Sequence, residues 1–460
     1  MPHRSRFALS LLALLLAGAA ALPAQVIRGG GLPTPLPLFP SNNWWNVDIS
    51  TAPVDPNSAN FISFIGGSTG LHPDLGGDVD PDVPSNPETY GMIFFTVPGT
   101  QPLEPVTFVE YGDQSDAGAP GRPPGYPIPV EARTQAKWIE GGWPATQTGG
   151  DRHMLIVDRD HRILFELYHA RWNAGLSRWE AGSGAIFRLD ANDRRPETWT
   201  SADAAGLAIL PGLIRYDEAF GADPIRHAFR MTVDPTHGYA FPASHDAGDT
   251  NGALPMGARL RLKASKDISG YAPEVRKIFQ AMKTYGLIVA DNGSDMYIGG
   301  TYDTRWNNDV LNPAFSSLKA SDFEVIQLGW QKAGPLAFYT LQPCRVLDTR
   351  DAPGPFGGPA MAPNELRVIG VTGRCGIPST AKALSANVTV IAPPGSGHLT
   401  FFPGNAAPQT ASTINFRPGL TRANNAVLML TSAGEGSLGI QHVTTIGSTH
   451  VLVDINGYFQ

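Results

Sequence analysis

The chain has 460 residues, more than one hydrophobic core usually serves, so two domains are expected. Charged residues make up 16% of it, against 51 Gly and 41 Pro, a β-rich and loop-rich composition that argues against a helical bundle or a coiled coil. The net charge of −7, with no basic arm or basic domain, argues against nucleic acid as a partner.

Residues 1–24 read as a secretory signal peptide: Arg4 and Arg6, the apolar run from Ala8 to Ala21, then Leu22-Pro23-Ala24. This implies a secreted protein, extracellular or at the cell surface. The run falls short of the roughly 20 apolar residues of a spanning helix and no second run follows, so no membrane span is expected. No Cys follows the run either, so a lipoprotein anchor has no support. Residues 25–41, with the Gly/Pro-rich stretch Gly29 to Pro40, read as a linker or an extended arm.

A domain over 42–333 is expected to begin at Asn42-Asn43-Trp44-Trp45, with strands at Met92 to Val97 and Val106 to Tyr111. Ahead of these strands, Asp74, Asp78, Asp80 and Asp82 crowd one loop in a way that suits calcium. The loop lacks the Gly and the distal Glu of a helix-loop-helix calcium site, so no metal site is assigned.

The segment Asp151 to Arg171 has the pattern of a β-hairpin around Arg159-Asp160-His161. A four-residue turn over Asp158 to His161 sets Leu155 opposite Leu164, His153 opposite Glu166 and Asp151 opposite Tyr168. Met154, Ile156, Ile163, Phe165 and Leu167 then form a core face, while Asp151, His153, Glu166 and Tyr168 gather at one end of the other. These groups can give and take protons, which suits glycoside cleavage by paired carboxylates or proton abstraction beside a uronate. They equally suit a hydrogen-bonded patch supporting loops, and a one-residue slip of register would disperse them.

Further along, Asp203, Asp217 and Glu218 offer a second carboxylate, and His245, in a loop, offers a general base. Strands are expected at Ala185 to Leu189, Ile225 to Val233, Ala258 to Lys263, Leu287 to Ala290 and Met296 to Gly299. Alternation places Arg226 and Arg230 on one face, and Arg259 with Arg261 on another. Side by side they would form a cationic strip for an acidic glycan, or else the solvated face of a sheet. One helix is predicted from Pro273 to Gly286, its Val275, Ile278, Phe279 and Met282 stripe serving core packing. Trp44, Trp45, Trp138, Trp143, Trp172 and Trp179 suit either sugar stacking or a core, with Trp172 taken as a substrate contact. A serine-hydrolase elbow, a phosphate-binding loop and a His-Glu-x-x-His zinc motif are all missing from the sequence.

Gly150-Asp151-Arg152-His153, Phe165-Glu166-Leu167-Tyr168, Ser201 to Leu207, Pro255 to Lys263 and Ala290-Asp291-Asn292-Gly293 resemble an uncharacterised group of secreted bacterial proteins over most of 42–330. No activity comes with that resemblance.

Composition shifts near Gly334, and short strands follow at regular spacing over 334–460, as in an all-β sandwich. Cys344 and Cys375 both lie there. In an exported chain they are expected to pair as a disulfide; a metal pair or free thiols are the alternatives. Pro343 to Arg350, Gly357-Gly358-Pro359, Cys375 to Pro378, Asn387 to Val390, Asn415-Phe416 and Val453 to Phe459 resemble a family of β-modules appended to secreted and surface bacterial proteins. The resemblance implies attachment, spacing or ligand binding without a reaction. Asp348, Arg350 and Asp454 are expected to serve as ion pairs and turn caps.

The expected fold is thus mainly β: an N-terminal antiparallel β-sandwich or jelly-roll-like domain with long loops and one helix, then a C-terminal β-sandwich. The expected function is a secreted polysaccharide-degrading enzyme, a glycoside hydrolase or a lyase. It would act on a polysaccharide or cell-wall glycan through Glu166, with His153 and Tyr168, and without a cofactor. The alternative is a non-catalytic surface or matrix protein that binds glycan or protein.

Overall fold

The computed structural model describes residues 25–83, 85–116, 123–332, 334, 336–431 and 436–460, so the signal-peptide segment lies outside the described residues. The chain divides into two compact units, Met1–Lys332 and Ala333–Gln460, and it is mainly β. Among the described residues no helix is long and apolar enough to cross a membrane.

In the first unit a five-stranded sheet runs Ile27–Arg28, Phe94–Val97, Met154–Asp158, Ile163–Tyr168, Ser183–Arg188 in spatial order. A six-stranded sheet runs Phe323–Val325, Arg259–Leu262, Leu287–Asn292, Phe229–Val233, Tyr297–Gly299, His72–Asp74, and a small sheet joins Val106–Phe108, Arg178–Ala181 and Arg171–Asn173. The sheets are mixed: Phe94–Val97 runs parallel to Met154–Asp158, and Leu287–Asn292 parallel to Phe229–Val233. Pairs of parallel neighbours distant in sequence leave no local trace in alternation, which is why the sequence suggested antiparallel pairing throughout.

The hairpin lies between two apolar layers. Leu155, Val157 and Leu164 pack into one core with Phe229, Met231, Leu260 and Val289; Met154, Ile156, Phe165 and Leu167 pack into another with Tyr126, Trp138 and Trp179. The predicted helix spans Pro273–Thr284, with Pro at its start and Val275, Ile278, Phe279 and Met282 buried. Each buried side chain there contributes about 1.5–3 kcal/mol of transfer free energy. Among the described residues three further α-helices, Ser58–Ile65, Tyr216–Phe220 and Asn308–Ser316, are short, five to nine residues, the last with Pro313 inside it, so helical periodicity barely develops in them. Residues 25–41 form an arm laid on this unit, not a free linker: Ile27–Arg28 pairs with Phe94–Val97, and Leu38 and Phe39 are buried.

The second unit pairs two four-stranded antiparallel sheets. One orders Phe338–Asp348, His450–Phe459, Ala383–Ile391, Arg422–Met429; the other Leu366–Gly370, Ser437–Thr444, Gly397–Pro403, Ile414–Phe416. Val346, Leu384, Val388, Val390, Leu399, Ile440 and Val453 share one core. Cys344 and Cys375 form a disulfide with their Cα atoms 5.8 Å apart. Asp348 accepts from the Arg350 backbone N–H and pairs with Arg345 and Arg350, and Asp454 pairs with Arg345, so these residues cap a turn and link strands.

Candidate functional site

The observed hairpin register pairs Leu155 with Glu166, Val157 with Leu164 and Asp158 with Ile163. This is two residues away from the expected register. Asp158 stays in the strand while its carboxylate accepts from the backbone N–H groups of Asp160 and His161, so the four-residue turn begins one position later. A shift by two preserves the face of every side chain. Leu155, Val157, Leu164 and Glu166 therefore share a face, and at its end the His153 and Tyr168 rings lie 5.7 Å apart.

Neither His153 nor Glu166 is free to act on a substrate. His153, 2% exposed, places Nδ1 2.6 Å from a Glu140 carboxylate oxygen and Nε2 2.9 Å from the Ala202 carbonyl. Both ring nitrogens face acceptors, so both carry protons. Desolvation opposes the charge, but the Glu140 carboxylate outweighs it and raises His153 to about 9. Glu140 is reciprocally held at about 2: desolvation works against its ionisation, and the His153 charge and hydrogen bonds overcome it. Glu166 is wholly buried and accepts from the backbone N–H groups of Ile209 and Leu210 at 2.9–3.0 Å. Burial raises its pKa to about 7, partly opposed by those two hydrogen bonds. It ties the hairpin to the Leu210–Gly212 turn. Tyr168 is pushed up to about 12 by desolvation and by Asp151, so its hydroxyl stays protonated at neutral pH.

The polar row continues inward. Arg230 donates to both oxygens of Asp203 at 2.7 Å and to Asp291 at 3.0 Å. Burial, then the Asp203 charge, raises Asp291 to about 7. This row comes to the surface at a pocket of about 240 Å³ lined by Asp74, Glu140, Asp151 and Arg152, with Tyr90 and Trp143 among its walls. Tyr90 and Trp143 are exposed. Asp74 is exposed at the rim of the pocket, and desolvation, then the Glu140 charge, raises its pKa. Gly91, Gly141, Gly149 and Gly150 also line it, all at positive φ, which lets bare backbone approach a ligand closely. Arg152, buried, donates to the Trp143 and Pro144 carbonyls and so fixes the aromatic loop against the hairpin.

Of the expected catalytic residues, only Asp151 lines this pocket. Asp217 is exposed in the Tyr216–Phe220 helix and paired with Arg215; its neighbour Glu218 is bound to Arg215 and His227. His245 gives Nδ1 to the Ala204 carbonyl at 2.8 Å, outside the pocket lining. The cationic strip does not form. The strand starts at Phe229, leaving Arg226 exposed before it, and Leu287–Asn292 separates Phe229–Val233 from Arg259–Leu262. Arg230, Arg259 and Arg261 are buried and directed to internal acceptors. Trp172 packs edge-on against Trp179 and under the Arg133 guanidinium. Trp44, Trp45, Trp138 and Trp179 are core residues, and Trp143 alone of the six reaches the pocket. Among the described residues no three His, Cys, Asp or Glu side chains converge as a metal site; in the acidic loop, Asp78 instead binds Lys137 and the Tyr302 hydroxyl. Glu140 and Asp74 were missed as a pair. Glu140 precedes Gly141-Gly142, and nothing local marks it as the partner of His153.

No family model matches the sequence, and no curated protein matches it. Among solved structures, the chain is similar to a Tobacco streak virus coat protein dimer at 10% identity and TM-score 0.17, covering 28% of this chain and 90% of that one. A second crystal form of that coat protein gives 12% identity and TM-score 0.18, covering 27% and 88%. At these TM-scores neither likeness bears on fold or function.

Proposed function

We propose that the first unit is a polysaccharide-degrading enzyme of the glycoside hydrolase kind, acting outside the cell with the second unit as an accessory β-module. The reading rests on one observation: two carboxylates, Asp74 and Glu140, line the same pocket with opposite proton affinities. Glycoside cleavage uses such a difference, one acid donating a proton to the leaving oxygen while an ionised carboxylate attacks or activates water. The upward shift of Asp74 suits it to the first role and the ionised state of Glu140 suits it to the second. His153 and Arg152 are positioning residues, the first holding Glu140 ionised and oriented, the second holding the Trp143 loop. Tyr90 and Trp143 supply flat apolar faces for sugar rings. A lyase is less well supported, because Tyr168 and His153 both hold their protons at neutral pH.

The test is release of reducing ends, and separately of unsaturated uronate absorbance, from neutral and acidic polysaccharides by the full chain. Asp74→Asn and Glu140→Gln are each expected to lower turnover by about 10²–10⁴-fold. Absence of turnover on every glycan by the folded wild-type protein would leave a non-catalytic binding module as the better reading.

A further inference from the structure

A second concave surface of the first unit shares no residue with the Asp74–Glu140 pocket. It is a groove of about 890 Å³ between the Pro273–Thr284 helix, the loop 264–269 and the segment Pro224-Ile225-Arg226. Its charged lining is Arg226, Lys266, Arg276, Lys277 and Lys283 against a single carboxylate, Asp267, in a chain whose net charge is −7. A local excess of cations in an acidic protein means that they face one another without mutual compensation, which costs stability unless a ligand or function offsets it.

The cations differ in how they are held. Lys277 donates to the Glu218 and Gly221 carbonyls, and Lys283 to the Ala264 and Lys266 carbonyls, so both ammonium groups are fixed in place by neutral acceptors, with Asp267 partly offsetting the charge of Lys283. Lys266 is paired with Asp322. Arg226 and Arg276 are exposed and, among the described residues, make no side-chain hydrogen bond or ion pair. Two free guanidinium forks beside two fixed ammonium groups match carboxylates spaced along a chain. Between them Ile225, Ile268 and Ala281 give a small apolar floor, suited to the CH face of a sugar ring.

We propose that this groove binds an anionic, carboxylate-bearing glycan chain as a holding site separate from the pocket. A polynucleotide is the poorer fit, since Tyr285 is the one aromatic in the lining and sequence-tolerant binding of single strands relies on successive stacking platforms.

The test uses the full chain in affinity electrophoresis through gels containing polygalacturonate, neutral dextran or double-stranded DNA. Polygalacturonate is expected to retard the protein and dextran not to. Retardation should weaken between about 50 and about 300 mM salt, because exposed ion contacts are screened. Arg226→Ala/Arg276→Ala is expected to weaken the apparent affinity about 10-fold with unchanged melting temperature, from the loss of two exposed ion contacts. Arg188→Ala, an exposed cation outside both the groove and the pocket, should match wild type. Equal retardation of wild type and the double variant, no retardation by polygalacturonate, or tighter binding to DNA than to polygalacturonate would each overturn the proposal.

Discussion

Replacing His153 with Gln removes the imidazolium between Glu140 and the Ala202 carbonyl. The rise of His153 from 6.5 to about 9 corresponds to about 3 kcal/mol of preference for the charged form in the folded protein. Both partners are largely enclosed, at 2% and 25% side-chain exposure, so most of this survives solvent screening, and breaking buried pairs typically costs about 3–5 kcal/mol. The sign follows from the direction of the shift. His153 has a higher pKa folded than unfolded, so its contribution is complete below pH 6.5 and is lost as pH rises through about 9. Glu140 is lower folded than unfolded, so its contribution is present above 4.5 and is lost as pH falls toward about 2. Urea unfolding of wild type and His153→Gln should therefore differ by about 3 kcal/mol near pH 6 and by much less near pH 10. Any residue of difference at high pH reflects lost packing and the Ala202 hydrogen bond. A stability gap that stays constant across that range would refute the imidazolium assignment. In Glu140→Gln the same ring should titrate below 6.5, since burial remains and its counter-charge is gone, and the imidazole proton resonances would report this directly.

Other perturbations have equally definite outcomes. Arg230→Leu strands the fully buried Asp203 beside Asp291; thermal unfolding should show a loss of about 3–5 kcal/mol, and Arg230→Lys a smaller one because the bidentate fork is lost but the charge kept. Cys344→Ser/Cys375→Ser opens a loop of 31 residues, and denaturant unfolding of the second unit should show a loss of about 3–4 kcal/mol. Gly142, at φ +80°, would carry a Cβ 1.9 Å from the Pro87 carbonyl oxygen. Gly142→Ala should therefore displace the loop that carries Glu140 and Trp143, read as faster amide exchange there and a lower melting temperature.

The local pattern of the chain determined most of its elements. Alternation and turn residues marked the hairpin, and its two faces survived a register two residues off, because side-chain direction repeats every two residues. Pro273, the apolar stripe after it and Gly286 marked the helix. The ring of short strands after Gly334 and the paired cysteines were likewise legible, since a sandwich of antiparallel neighbours leaves its alternation in the sequence. Tertiary structure alone decided the parallel pairings and the order of the six-stranded sheet, which separates Arg230 from Arg259. It also decided that Glu166 and His153 would be satisfied from outside the hairpin, by Ile209, Leu210, Ala202 and Glu140. Whether a carboxylate becomes a buried tie or lines a pocket depends on which distant backbone groups reach it, and local sequence carries no record of them.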